Sequence, residues 1–206
     1  MAPSVHRPVY GLDIETDTVV DGLDPAVGAV LAVAVATADD DIVLRGPEAR
    51  LLTDLDDLLL GLPPGVLATW NGGRFDLPYL AARAARLGVP TGLRLEAEPR
   101  IDGVRGAWYH HGHVDAYQLY RSDVGPALRV SCSLKSIARL AGLHPVEVDA
   151  SKVHELSDID LRTYVASDAR CARELLLRRG VAALAAADRL HPREVMSRPL
   201  SFSSVH

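Results

Sequence analysis

The chain has 206 residues, a length that suits one compact domain, and its 48% hydrophobic content excludes global disorder. The net charge of -5 argues against binding nucleic acid by bulk electrostatics, although nearly all the positive charge is arginine, whose planar fork of donors suits phosphate. There is no membrane-length apolar run and no charged-then-apolar leader, and Cys132 and Cys171 lack disulfide-framework or zinc spacing, so a cytoplasmic protein with reduced thiols is expected.

Taken in order, residues 1–8 read as a loose leader. Val9 to Glu15 reads as a strand with Val9, Gly11, Asp13 and Glu15 on one face. A loop rich in Asp, Gly and Pro follows, from Asp17 to Val27. Ala29 to Thr37 is apolar on both faces and reads as a central strand, and Ile42 to Arg45 as a third, giving an antiparallel meander. Pro47 to Leu60 carries Leu51, Leu52, Leu55, Leu58 and Leu59 on one helical stripe, ended by Pro63-Pro64-Gly65. Val66 to Trp70 is the next strand. Asn71-Gly72-Gly73 leads to a helix over Asp76 to Leu87, closed by Gly88. Thr91 to Gly106 reads as a loop with an irregular strand, and Trp108 to Tyr117 as one strand carrying His113 and Asp115. Ser133 to Leu140 is a short helix with Ser131 or Ser133 as its cap. Ser157 or Asp158 caps a last helix to about Leu177, or on to Leu190. The expected organisation is one domain over 9–190 with flexible ends at 1–8 and 191–206. Its class is α/β, a mixed central sheet flanked by helices.

Three segments carry candidate chemistry. Asp13 and Glu15, two apart on a strand, aim both carboxylates at one face. Such like charges are costly when buried unless a cation neutralises them, and hard oxygen donors suit magnesium or manganese. The same pair is common at a solvated strand end. In Asn71-Gly72-Gly73-Arg74-Phe75-Asp76 the glycines allow positive φ or close backbone approach. There Asp76 can serve as a site residue or as a helix cap, Phe75 as core or as a wedge against a base, and Asn71 as a brace for the loop or a hold on substrate. Tyr164 and Asp168 are four apart on a helix and share a face, as a site or as a simple hydrogen-bonded pair. His111, His113 and Asp115 share one side of a strand and allow a transition-metal site, against the plainer reading of a surface strand or substrate-facing edge. Arg74, Arg83, Arg86, Arg121, Arg129, Lys135 and Arg139 are candidates for phosphate contact.

Read together, Asp13-x-Glu15, Asn71-x-x-x-Phe75-Asp76 and Tyr164-x-x-x-Asp168 resemble the three motifs of the DEDD superfamily of 3′-5′ exonucleases, in its tyrosine branch, DEDDy. The wording Leu12-Asp13-Ile14-Glu15-Thr16 and Asn71-Gly72 through Tyr79-Leu80 is similar to the proofreading exonuclease domain of family B DNA polymerases. Val114-Asp115 and Ser133-Leu134-Lys135-Ser136-Ile137-Ala138 agree. The resemblance implies a ribonuclease-H-like fold and two divalent cations, Mg2+ or Mn2+, held by Asp13, Glu15, Asp76 and Asp168. In it Asp13 would bridge the ions, Glu15 and Asp168 would serve the ion carrying the attacking water, and Asp76 the other. Tyr164 would orient or help deprotonate that water. Substrate contacts are implied for Ile14, Thr16, Asn71, Phe75 and Lys135. The implied partner is a single-stranded 3′ end, DNA favoured over RNA, in a DNA-repair setting without a membrane. Two other functions fit the same fold: a non-catalytic nucleic-acid-binding or scaffold domain, and a ribonuclease-H-like endonuclease.

Overall fold

A computed structural model describes residues 7–98 and 103–180. The expected leader over 1–6, the tail from 191 and the extension of the last helix to Leu190 lie outside these residues. Among the described residues, seven strands form one mixed sheet: β1 Val9–Thr16, β2 Val30–Ala36, β3 Asp41–Arg45, β4 Val66–Thr69, β5 Leu93–Glu98, β6 Gly103–Trp108 and β7 His111–Asp115. Their order is β3-β2-β1-β4-β7-β6-β5. β1 to β3 form the expected antiparallel meander. β1, β4 and β7 run parallel at the centre, and β5 and β6 continue antiparallel to the far edge. The helices are α1 Glu48–Gly61, α2 Asp76–Leu87, α3 Ala116–Ser122, α4 Val124–Leu128, α5 Leu134–Leu140 and α6 Asp158–Arg178, with a short 3-10 segment at Ala150–Glu155.

Strand alternation decides what each face of the sheet covers. Tyr10, Leu12 and Ile14 of β1 enter the main core with Leu51, Leu52, Leu55 and Leu59 of α1 and Leu77 and Leu80 of α2. Each buried leucine contributes roughly 1.5–3 kcal/mol. The opposite face of β1 carries Gly11, Asp13 and Glu15 and lies under α6. A Cβ on Gly11 would collide with the carbonyl oxygen of Ala169, so only glycine lets α6 come this close. β2 is buried on both faces. Val33 and Val35 join the main core, while Ala32, Ala34 and Ala36 pack under Leu161, Tyr164, Val165 and Ala169 of α6.

The caps follow the chemistry of their residues. Gly88 closes α2 at φ 66°, in the left-handed region. Ser133 caps α5 and Ser157 caps α6, each accepting a backbone N–H three residues on.

Two regions differ from expectation. Thr91 to Gly106 holds most of a hairpin, β5 and β6, rather than a loop with one irregular strand. Trp108 to Tyr117 is not one strand. It breaks at Tyr109, which sits at φ 51°, and β7 ends at Asp115, whose side chain caps α3 by accepting the Tyr117 N–H at 3.1 Å. α3, α4 and the 3-10 segment were not foreseen. Among the described residues no helix is long and apolar enough to cross a membrane.

Candidate functional site

Three chain segments meet at the end of β1. Asp13 and Glu15 come from its α6-facing side, and Asp168 from the middle of α6. Ligand-capable oxygens of these three residues all lie within 4.8 Å of one another. No other group of this kind occurs among the described residues. Asp13 and Glu15 are partly exposed, whereas Asp168 is buried. Asp76 is the first residue of α2, with Phe75 in the cap position. β1 pairs with β4 only as far as Gly11, so the edge beyond is open to other acceptors. There the main-chain N–H of Ile14 stabilises the Asp76 carboxylate. Asp76 stands beside the three-acid set, outside it, and its charge acts on both Asp13 and Glu15.

The electrostatics record the crowding. Burial and then the charges of Asp168, Asp76 and Glu15 hold the Asp13 carboxyl well above its usual range. Burial and then Asp168 push Glu15 up to about 8. Burial raises Asp76 to about 7, against the main-chain donors of Asp76 and Ile14. Asp168 is raised by burial although Lys135 is its ion-pair partner. Two unit charges at such separations repel by about 3 kcal/mol at an effective dielectric of 20. Three carboxylates so close therefore require protons or cations. The all-oxygen donor set fits hard divalent cations such as magnesium or manganese.

Tyr164 is 7% exposed, one turn before Asp168 on α6. Burial and then the charges of Glu15, Asp168 and Asp13 push its hydroxyl far up, so it stays protonated. The Lys135 ammonium pairs with Asp168 and sits 4.5 Å from the centre of the Tyr164 ring. Lys135 thus belongs to the acidic cluster.

The remaining candidate substrate contacts differ in their surroundings. Phe75 is half-buried, its ring centre 5.2 Å from that of Tyr79. The Ile14 side chain is in the core, and Thr16 is buried, donating to Gly22 O at 2.7 Å to brace the following loop. Asn71 sits at φ 66° and lines a groove of about 380 Å³ with Trp70, Tyr117, Ser131, Cys132, Ser133 and Leu134. Among the described residues its Oδ1 is buried without a hydrogen-bond partner. The sequence reading missed Trp70, Tyr117 and Cys132; the only cue for the first was its place next to Asn71.

The histidines do not form a metal site or a surface strand. β7 is buried along its whole length. His111 Nδ1 accepts from Gly65 N–H at 3.2 Å and its Nε2 faces Leu59 O at 2.7 Å, which fixes a neutral ring with both nitrogens used. His113 Nε2 meets Thr69 Oγ1 at 2.8 Å, and burial lowers its pKa to about 4. Asp115 accepts from the main-chain N–H groups of Asn71 at 2.8 Å and Gly73 at 3.4 Å. The polar row of β7 thus pins successive points along β4 and the turn after it. Of the candidate phosphate contacts, Arg83 is committed elsewhere: it is buried in an ion pair with Glu48. Arg139 pairs with Glu147, and Arg121 lies 6.0 Å from the Tyr117 ring centre.

A mixed sheet in this order, helices on both faces and carboxylates gathered between the first strand and the last helix define a ribonuclease-H-like domain. The chain belongs to the RNase_H superfamily, whose family model matches residues 11–157. That match ends before α6, the helix that carries Tyr164 and Asp168. The chain is 28% identical to DNA polymerase 1 of Aeropyrum pernix over 85% of its own length and 21% of the relative's. A DNA polymerase of Archaeoglobus fulgidus is 34% identical over 68 residues, 32% of this chain and 9% of that protein. The solved family B DNA polymerase of Pyrobaculum calidifontis superposes with a TM-score of 0.67 at 24% identity, over 84% of this chain and 24% of that one. The chain therefore spans about a quarter or less of the length of these relatives. The resemblance to the DEDD exonucleases of family B polymerases, read from the motifs, is borne out by these matches.

Proposed function

We propose that this chain is a 3′-5′ exonuclease of the tyrosine DEDD type, hydrolysing phosphodiester bonds at single-stranded ends, with DNA favoured. The observation that carries this reading is the meeting of Asp13, Glu15 and Asp168, with Asp76 alongside, drawn from β1, α2 and α6. Asp13, Glu15, Asp76 and Asp168 would hold two divalent cations, which supply activation of the attacking water and stabilisation of the leaving oxygen. The chain's own groups do the rest. Tyr164, one turn before Asp168 on α6, would orient or help deprotonate the water through its hydroxyl. Lys135 neutralises part of the charge on Asp168 and stays within reach of a phosphate arriving at the cluster. Phe75, half-buried next to Asp76, offers a ring face to a terminal base, and Asn71 lines the groove that would receive the incoming strand. The two free thiols suit a cytoplasmic setting.

The test uses oligodeoxynucleotides labelled at either end, with Mg2+ or Mn2+. Immediate release of a labelled mononucleotide from the 3′ end, with a ladder from 5′-labelled strands, is expected. Cutting of circular or end-blocked strands would instead favour an endonuclease. No metal-dependent cleavage of DNA or RNA by folded protein would leave a binding or scaffold role.

A further inference from the structure

We infer that Asp115 is a positioning residue for Asn71: it fixes the Asn71–Gly73 turn so that the Asn71 carboxamide is presented to the groove beside the acidic cluster. The inference rests on the exonuclease reading and adds to it a determinant of how tightly the strand is held.

The turn is held from two strands at two points. From β6, Val104 N–H donates to Gly73 O at 2.8 Å. From β7, Asp115 accepts Asn71 N–H at 2.8 Å and Gly73 N–H at 3.4 Å, and it also takes Tyr117 N–H at 3.1 Å, tying the turn to α3. A buried side chain that receives three main-chain donors must offer acceptors alone, which a carboxylate does and a carboxamide does not. Asn71 lies at φ 66°, a conformation disfavoured for an L-residue and here closed by the bond from its own N–H to Asp115. Gly73 has no room for a side chain: a Cβ would sit 2.8 Å from Val104 O. Gly72 is equally confined, because a Cβ there would strike the Thr69 side chain. Without the Asp115 anchor, Gly73 stays tied to β6, while Asn71 loses the bond from its own N–H and keeps those its carbonyl accepts from Arg74 and Phe75 N–H. The pivot is thus at Asn71, a residue that lines the groove and whose Oδ1 is buried without a partner among the described residues. Tyr117 borders the same groove two residues after Asp115, so one carboxylate sets two of its walls.

Asp115→Asn keeps the shape of the side chain but turns an amide donor toward at least one main-chain N–H. Full-length wild type, Asp115→Asn, Asn71→Ala and the double variant are compared. Binding of a fluorescent ten-nucleotide oligothymidylate is followed by anisotropy in calcium, and cleavage by steady-state kinetics in manganese. Each single variant is expected to weaken binding and raise KM by about tenfold, with kcat nearly unchanged. The double variant is expected to be no worse than either single one, because Asp115 acts through Asn71. Calorimetric Mn2+ affinity of the acidic cluster is expected to stay at the wild-type value, which a general loosening of the fold would not allow. Additive losses, or a fall in kcat at constant KM, would overturn the positioning role while leaving the exonuclease reading intact. Oligonucleotide binding without cleavage, with the losses still non-additive, would overturn the exonuclease reading and keep the positioning role. Wild-type protein that neither binds nor cleaves overturns both.

Discussion

Removing the Asp76 charge should make the metal-free protein more stable, and the gain should depend on pH in a defined direction. In the fold this carboxyl keeps its proton to about pH 7, whereas an ordinary aspartate ionises near 3.8. Between those values the folded state binds more protons than the unfolded chain, so stability falls as pH rises through the window. At 1.36 kcal/mol per pKa unit, full ionisation costs about 4 kcal/mol. Asp76→Asn leaves a carbonyl oxygen able to accept the Ile14 N–H and removes the charge. Its advantage over wild type should therefore grow by about 3 kcal/mol from pH 4.5 to 7.5 through the Asp76 titration alone, and relief of Asp13 adds to it. For a chain of this length that is roughly 6–12 °C in Tm. The assay is thermal unfolding of both proteins in chelator across that range. Manganese should narrow the gap, since wild type gains about 2.7 kcal/mol at a hundredfold excess over Kd and the variant gains less. A difference in Tm that stays flat with pH, or a variant less stable at pH 7.5 in chelator, would refute the argument that burial raises the Asp76 carboxyl.

Asp13→Ala and Asp168→Ala should each abolish cleavage while circular dichroism keeps the wild-type spectrum; wild-type rates in either would contradict the proposed ligands. Tyr164→Phe should slow cleavage less than loss of a carboxylate, because the hydroxyl would assist the water without holding a cation, and an unchanged kcat would remove it from the reaction. Gly11→Val should destabilise by about 3 kcal/mol or more and lower Mn2+ affinity with it, since α6 cannot dock against a β-branched side chain; calorimetry and thermal melts read both. Trp108→Phe should cost about 1–3 kcal/mol, because the buried Asp56 loses the indole N–H that bonds it at 2.8 Å, and urea unfolding would measure it.

Legibility in the sequence followed the range of the interactions. α2 was read to the residue, because Asp76 at its start and Gly88 at its end are local signals. The Asp13 and Glu15 side was equally plain, since alternation on one strand needs no partner. The β5–β6 hairpin was missed although Leu93, Leu95 and Ala97 alternate with Arg94, Glu96 and Glu98. The strand lies at the edge of the sheet, so its apolar side chains are only partly covered and its pattern resembles a polar loop. The break at Tyr109 carries no glycine or proline to announce it. Lys135 could be named but not placed, because its ion pair with Asp168 depends on how α5 packs on α6. His111 and His113 were misjudged for the same reason. Their main-chain and threonine partners come from α1, β4 and the segment before it, not from neighbours in the chain.

The small-residue path that admits α6 also sets when the acidic cluster can assemble. Asp13 and Glu15 leave the ribosome before Asp168, which follows about 155 positions later and reaches them only once α6 lies over Gly11 and the alanines of β2. A nascent or truncated chain lacking that helix would hold two of the three clustered carboxylates and no Tyr164 hydroxyl. On the proposed function, activity would thereby wait on a contact between segments far apart in the chain.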